Sequence, residues 1–272
     1  MNNNEFNVDN ASLSVDLSEA RQAVKENRFQ DALDLFEIIL KNDPDHIDSL
    51  YLASVSSRYL KNFDESKSLI ERLLTIAPDM GRAYQELGHI NRDMGNIEKA
   101  VVHYRQACEL NPALLASWNS LYKYFSENNN KPAADHAREQ IEKLKSLPSA
   151  LLYIDQIMNE GRLGVAETQC RAFLKNNPTH TYAMSLLSEI ANRLGYFDDA
   201  EFLLKKAVEF KPNDGDLRMK YAQILRKKQK FAKTLEQVNI LCDQYPDNHS
   251  YQAQKASEIM QNGAHELSLI HI

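Results

Sequence analysis

Long apolar runs are absent from this 272-residue chain. None approaches the roughly 20 consecutive apolar residues that span a bilayer. The opening MNNNEFNVDN has neither the basic nor the apolar region of a secretory signal. A basic excess is absent as well. The net charge of −6 argues against a general binder of nucleic acid or membrane surface. Cysteine is scarce: Cys108, Cys170 and Cys242 are an odd number at wide spacing, without a C-x-x-C pair. Neither a disulfide framework nor a structural zinc site is supported, and a reducing compartment fits better. The expectation is a soluble, cytoplasmic protein whose partners include no nucleic acid and no membrane. Residues 1–11, polar and rich in Asn, read as a disordered lead-in.

Proline and glycine are few, but they are placed with a period. Pro44, Pro78 and Pro112 lie 34 residues apart, and so do Pro178, Pro212 and Pro246. A small residue stands twelve positions before each: Ala32, Ser66, Ala100, Ala166, Ala200 and Thr234. Gly95, Gly161, Gly195 and Gly263 mark a third phase, five residues before the small one. Phe29, Phe63, Leu163, Phe197 and Phe231 follow two residues after that phase. Each unit reads as two amphipathic helices. Glycine breaks the first helix because it tolerates left-handed backbone angles, and proline ends the second because it cannot continue a helix. Asn27 takes the glycine's place in the first unit, and Asn62, one position later, in the second. Ser54, Gly88, Ser188 and Ala222 let first helices approach their neighbours closely. Leu50, Tyr84, Trp118 and Met184, four residues earlier, fill the remaining space.

These markers resemble the tetratricopeptide repeat, a helix-turn-helix unit of 34 residues. AYQELGHINRDMGNIEKAVVHYRQACELNP at 83–112 carries the likeness well. The resemblance implies an all-α fold, a right-handed superhelix or α-solenoid of about seven repeats plus a partial eighth. Residues 12–145 would hold repeats one to four, starting near Leu13, Ile47, Gly81 and Leu115. Residues 146–267 would hold repeats five to seven, from Leu147, Thr181 and Gly215, and a partial eighth from His249. The stretch from Pro112 to Pro178 is 66 residues, two short of a double period. The shortage falls near Ser146–Pro148. It either changes the local superhelical angle and divides the stack, or is a tolerated loop deletion.

Catalytic fingerprints are missing. No phosphate loop, dinucleotide motif, H-E-x-x-H or G-x-S-x-G occurs, and no catalytic residue, cofactor or metal is expected. The three cysteines occupy core positions of second helices. A metal site from His89, His103 and His136 is conceivable, but no spacing demands it. His46 and His180 fall at equivalent turns between repeats. The run RKKQKFAK at 226–233 is either a phosphate-binding patch or a solvated turn anchored by Phe231, and the frame favours the turn.

In tetratricopeptide arrays the first helices line a concave surface. Carrying positions 2, 5, 9, 12 and 13 onto this chain gives Arg21, Lys25, Tyr51, Arg58, Gln85, His89, Arg92, Asn119 and Lys123 in the first half. The second half gives Asp155, Glu189, Arg193, Gln223, Arg226 and Lys227. The first half is basic and amide-rich, which suits an acidic or extended peptide. Charge reversal at Arg58 and Arg92 is expected to weaken such a partner. The alternative is an ordinary polar face. The carboxylate-clamp set of chaperone-binding members does not occur in three consecutive units.

A narrower resemblance covers residues 81–267. SLPSALLYIDQIMNEGRLGVAETQCRAFLKNNPTHTYAMSLLSEIANRLGYFDDAEFLL, LRKKQKFAKTLEQ and LNPALLASW look like the repeat region of bacterial tetratricopeptide sulfotransferases. That resemblance implies a partner-presenting arm whose sulfuryl-transferring domain is absent from this chain. The unfinished eighth unit and the closing LSLIHI at 267–272, of which 268–272 reads as a truncated or non-native tail, fit a fragment. The alternatives are a free-standing bacterial adaptor for an envelope, secretion or regulatory assembly, and a parent of another repeat-enzyme class.

Overall fold

The computed structural model describes residues 17–270, with side chains through residue 261. The expected lead-in, the repeat start near Leu13 and the last two residues lie outside the described part. Among the described residues every element is a helix: α1 (17–25), α2 (Phe29–Asn42), α3 (Ile47–Tyr59), α4 (Phe63–Ile76), α5 (Gly81–Asp93), α6 (Ile97–Leu110), α7 (Leu115–Glu127) and α8 (Lys131–Lys145). They continue as α9 (Ser149–Asn159), α10 (Leu163–Asn176), α11 (Thr181–Arg193), α12 (Phe197–Phe210), α13 (Gly215–Lys227), α14 (Phe231–Gln244) and α15 (His249–Ile270). None of them is long and apolar enough to cross a membrane.

The turn chemistry explains the phasing. Before each of the six periodic prolines the backbone leaves helical geometry, at Asp43, Ala77, Asn111, Asn177, Lys211 and Tyr245, with φ between −128 and −142°. Proline's ring disfavours the helical region for its predecessor, so each second helix stops there. Inside each pair one residue takes positive φ: Asn27, Lys61, Gly95, Asn129, Gly161, Gly195 and Gln229. In the second pair that residue is Lys61 at 66°. The expected Asn62 instead precedes α4 with φ −82°. Among the first helices from α3 to α13, three carry a side-chain cap. His46 Nδ1 accepts from the Ser49 amide at 3.2 Å, His180 Nδ1 from that of Ala183 at 3.3 Å, and Asp214 from that of Leu217 at 3.1 Å. The two histidines at equivalent turns thus satisfy orphan amides.

Two compact units divide at Pro148 and Ser149. The two-residue shortage is absorbed mainly by α9, 11 residues long where the other first helices from α3 to α13 have 13. Pro148 immediately precedes α9, and its ring disfavours helical backbone at Leu147, so α8 does not run on into α9. At the far end α15 runs through Gly263 to Ile270 without the break that the repeat phase predicted.

The first unit buries Phe36, Ile39, Leu50, Ile70, Leu73, Ile90 and Leu121, each at most 2% exposed. The second buries Leu151, Ile154, Ile190, Leu204 and Leu225 to the same extent. Each such side chain contributes about 1.5–3 kcal/mol. The periodic small residues sit where helices touch. Ser54 Oγ donates to the Ser66 carbonyl at 2.8 Å, and Ser66 Oγ returns a bond to the Ser54 carbonyl at 2.7 Å. At Gly88 an added Cβ would stand 2.5 Å from the Tyr104 ring, so α5 and α6 close up only because no side chain intervenes.

Candidate binding face of the first helices

The polar residues assigned to the first helices are mostly engaged with the neighbouring repeat. In the first unit Arg21 donates to Asp48 at 2.5 Å, and the Arg82 guanidinium lies 4.6 Å from the Tyr51 ring centroid. Gln85 accepts from Ser117 Oγ at 3.0 Å. Arg58 is buried. Its Nε meets Glu86 at 2.5 Å, its Nη1 meets Asp93 at 3.1 Å, and its guanidinium lies over the Tyr59 ring. Arg58 was expected to offer its charge to a ligand. That charge is neutralised inside the stack, because burial requires a paired partner.

His89 lies beside this pair. Tyr104 O–H donates to its Nδ1 at 2.8 Å, and Arg92 Nη1 approaches the same nitrogen at 3.4 Å. Two donors aimed at one nitrogen make it the unprotonated one. Burial first, then the charges of Arg58 and Arg92, push the imidazole down to about 4. Arg92 itself binds Asp93 through Nε at 2.9 Å and Nη2 at 2.8 Å. Against the burial that would raise it, these bonds and those to Arg58 hold the Asp93 carboxyl low. Lys25, Asn119 and Lys123 stand exposed.

The second unit repeats the theme. Tyr182 O–H donates to Asp155 at 2.6 Å, and burial followed by that carboxylate raises the phenol above its ordinary range. Arg193 reaches Glu189 at 3.0 Å, Asn159 Oδ1 at 3.1 Å and the Met158 carbonyl at 3.2 Å. Lys220 donates to Ser185 Oγ at 3.0 Å and Lys227 to Asn192 Oδ1 at 2.8 Å. Arg226 pairs at 3.1 Å with Glu258, which is 1% exposed. Gln223 stands exposed. Several of these bonds join residues 34 or 35 apart, one repeat plus at most one position. They form a ladder between successive first helices within each unit. Its other halves, Glu86, Asp93, Asn159, Ser185 and Asn192, were not singled out from the sequence. A donor and an acceptor one repeat apart, in either order, was the available signal.

The remaining candidates have structural partners. The 226–233 run is met by acids: Lys228 contacts Asp198 and Glu201, and Lys230 binds Glu201 at 2.7 Å. Cys108, Cys170 and Cys242 are buried, and burial pushes the first two thiols up to about 12, far from a nucleophilic thiolate. His136 packs edge-on against Trp118 at 5.6 Å, while His89 is held by Tyr104. No three His, Cys, Asp or Glu side chains gather as a metal site among the described residues.

The helical pairing, the proline turns and the interlocked small residues define a helical-repeat scaffold. Tetratricopeptide-repeat family profiles match residues 17–81, 81–114 and 182–214, and the all-helical fold is that of a tetratricopeptide-type solenoid. It is 23% identical to human tetratricopeptide repeat protein 13 over 153 residues, 54% of this chain and 18% of that protein. It is 22% identical to mouse anaphase-promoting complex subunit 7 over 187 residues, 68% of this chain and 33% of that protein. It therefore spans no more than a third of the length of either relative. A tetratricopeptide repeat protein from Parabacteroides merdae aligns with TM-score 0.44 and 11% identity, over 92% of this chain and 99% of that one.

Proposed function

We propose that this chain is a non-catalytic interaction scaffold whose first helices receive an acidic, extended segment of a partner protein. The observation that carries this reading is the ladder. It fixes consecutive first helices in register, so exposed groups such as Asn119 and Lys123 on α7 and Arg92 on α5 are ordered before any partner arrives. Pre-ordering reduces the entropy lost on binding. The three cysteines are buried and His89 is already bonded to Tyr104. A relative that is by name a subunit of a multiprotein complex supports the same reading.

The test is titration of the full chain with an acidic peptide, followed by calorimetry on the Lys123→Glu and Asn119→Ala variants. Each exposed polar contact contributes about 0.2–1 kcal/mol, so a several-fold loss is expected for the pair. Unchanged affinity in both variants would move the binding elsewhere on the stack. The narrower reading, a repeat arm from a sulfotransferase-like parent, is supported by the segment resemblance over residues 81–267. Sulfuryl transfer by this chain alone from a phosphosulfate donor would overturn the scaffold reading.

A further inference from the structure

A recess lies between first and second helices of the first unit. In the first unit a cavity of about 360 Å³ opens among α6, α7 and α8. Trp118, Leu121 and Phe125 come from α7, Arg105, Cys108 and Glu109 from α6, and Ala133 and His136 from α8. We propose that this cleft is a docking slot for a short partner segment carrying one bulky apolar side chain beside a carboxylate.

The walls are built in advance. Trp118 Nε1 donates to the Pro112 carbonyl at 2.9 Å, and its ring meets His136 edge-on. Leu121 and Phe125 are 2% and 6% exposed. The volume is at the small end of the roughly 300–1,000 Å³ of ligand pockets, matching a side chain rather than a cofactor. Aromatic walls around an apolar recess are the setting in which one anchoring side chain supplies most of an interface's affinity.

Charge selects the neighbour of that anchor. The Arg105 guanidinium lies 5.1 Å from the Phe125 ring centroid, at the cleft. Most other arginines of the described chain have a carboxylate within 4.0 Å, among them Arg21, Arg58, Arg92 and Arg193. Arg105 has none among the described residues. A carboxylate flanking the anchor meets an oriented, weakly hydrated planar cation. The cleft is formed by α6 and α8 as well as α7, so it stands apart from the first-helix face proposed above.

Trp118 is the only tryptophan in the chain, so its emission reports on the cleft directly. The full chain is titrated with a capped peptide bearing a central phenylalanine between two glutamates, and with matched peptides carrying two lysines or a central glycine. A saturable emission change is expected for the first peptide, with the lysine peptide about tenfold weaker, as for loss of a charge-assisted contact. Arg105→Glu, at an exposed site, reverses the preference, whereas Lys123→Glu on the first-helix face leaves it unchanged. Arg105→Lys keeps the sign of the preference. No saturable change with the glutamate–phenylalanine peptide overturns the proposal. So does an equal response to both charges, or an equally strong response to the glycine peptide.

Discussion

Acidification should loosen the first unit at one identifiable residue. His89 Nδ1 accepts from Tyr104, and the surrounding charges are Arg58 from α3 and Arg92 and Asp93 from α5. Protonation would force the Tyr104 bond to reverse, with Nδ1–H donating to the phenol oxygen, and would set a third cation beside two guanidiniums, offset by Asp93. The imidazole therefore stays neutral in the folded chain down to about pH 4, whereas an unfolded histidine protonates near 6.5. Between those values the unfolded chain holds the extra proton. Stability is intact above about pH 6.5 and is lost as the pH falls toward 4. At about 1.4 kcal/mol per pH unit over the 2.5 units between 6.5 and about 4, the loss from this residue reaches at most about 3.5 kcal/mol. Carboxylates titrate over part of the same range, so the comparison must be internal. Urea midpoints followed by circular dichroism at pH 7 and pH 4.5 are measured for the parent and for His89→Gln, which keeps an acceptor for Tyr104. The variant should lose less stability than the parent on acidification. Equal losses, or an imidazole that titrates near 6.5 by NMR in the folded chain, would refute the reasoning.

Three further outcomes follow from the packing. Arg58→Met leaves Glu86 buried without its cation and should cost about 3–5 kcal/mol, while Arg58→Met with Glu86→Leu recovers much of it, as read from urea denaturation. Gly88→Ala forces the Tyr104 ring away from a 2.5 Å contact and should cost about 1–3 kcal/mol, seen as a lowered melting temperature. Lys61→Gly relieves a side chain held at φ 66° and should raise the urea midpoint by about 0.5–1 kcal/mol equivalent, whereas Lys99→Gly inside α6 should lower it.

Much of the repeat was legible in the chain because its signals are steric and local. A proline stops the helix that runs up to it in any tertiary context, although Pro132 is tolerated in the first turn of α8. A small residue every 34 positions marks a close approach whichever partner is met, and Ala32, Ser66, Ala100, Ala166, Ala200 and Thr234 are all buried. The turn residues were half legible. Gly95, Gly161 and Gly195 announce their left-handed backbone, while Lys61 and Gln229 do not, since the hydrogen bonds of the flanking helices impose that angle on residues that do not prefer it. The α15 helix shows the converse: a glycine in phase at 263 breaks nothing, because no periodic turn forms around it.

The candidate face divides along the same line. Its positions came from the repeat frame, and the sequence by itself determined which residues lie on first helices. Only the tertiary structure decided what their side chains do. Arg58, Arg193 and Lys227 look like displayed charges in one dimension. In three, the packing of a neighbouring first helix, the following one at Arg58 and the preceding one at Arg193 and Lys227, brings Glu86, Asp93, Asn159 and Asn192 within bonding distance. Burial of the guanidinium then makes that pairing compulsory at Arg58. The cleft around Trp118 belongs to the same category. Its residues are drawn from three helices and spread over more than thirty positions, and their enclosure of a shared recess depends on how α6 and α8 flank α7.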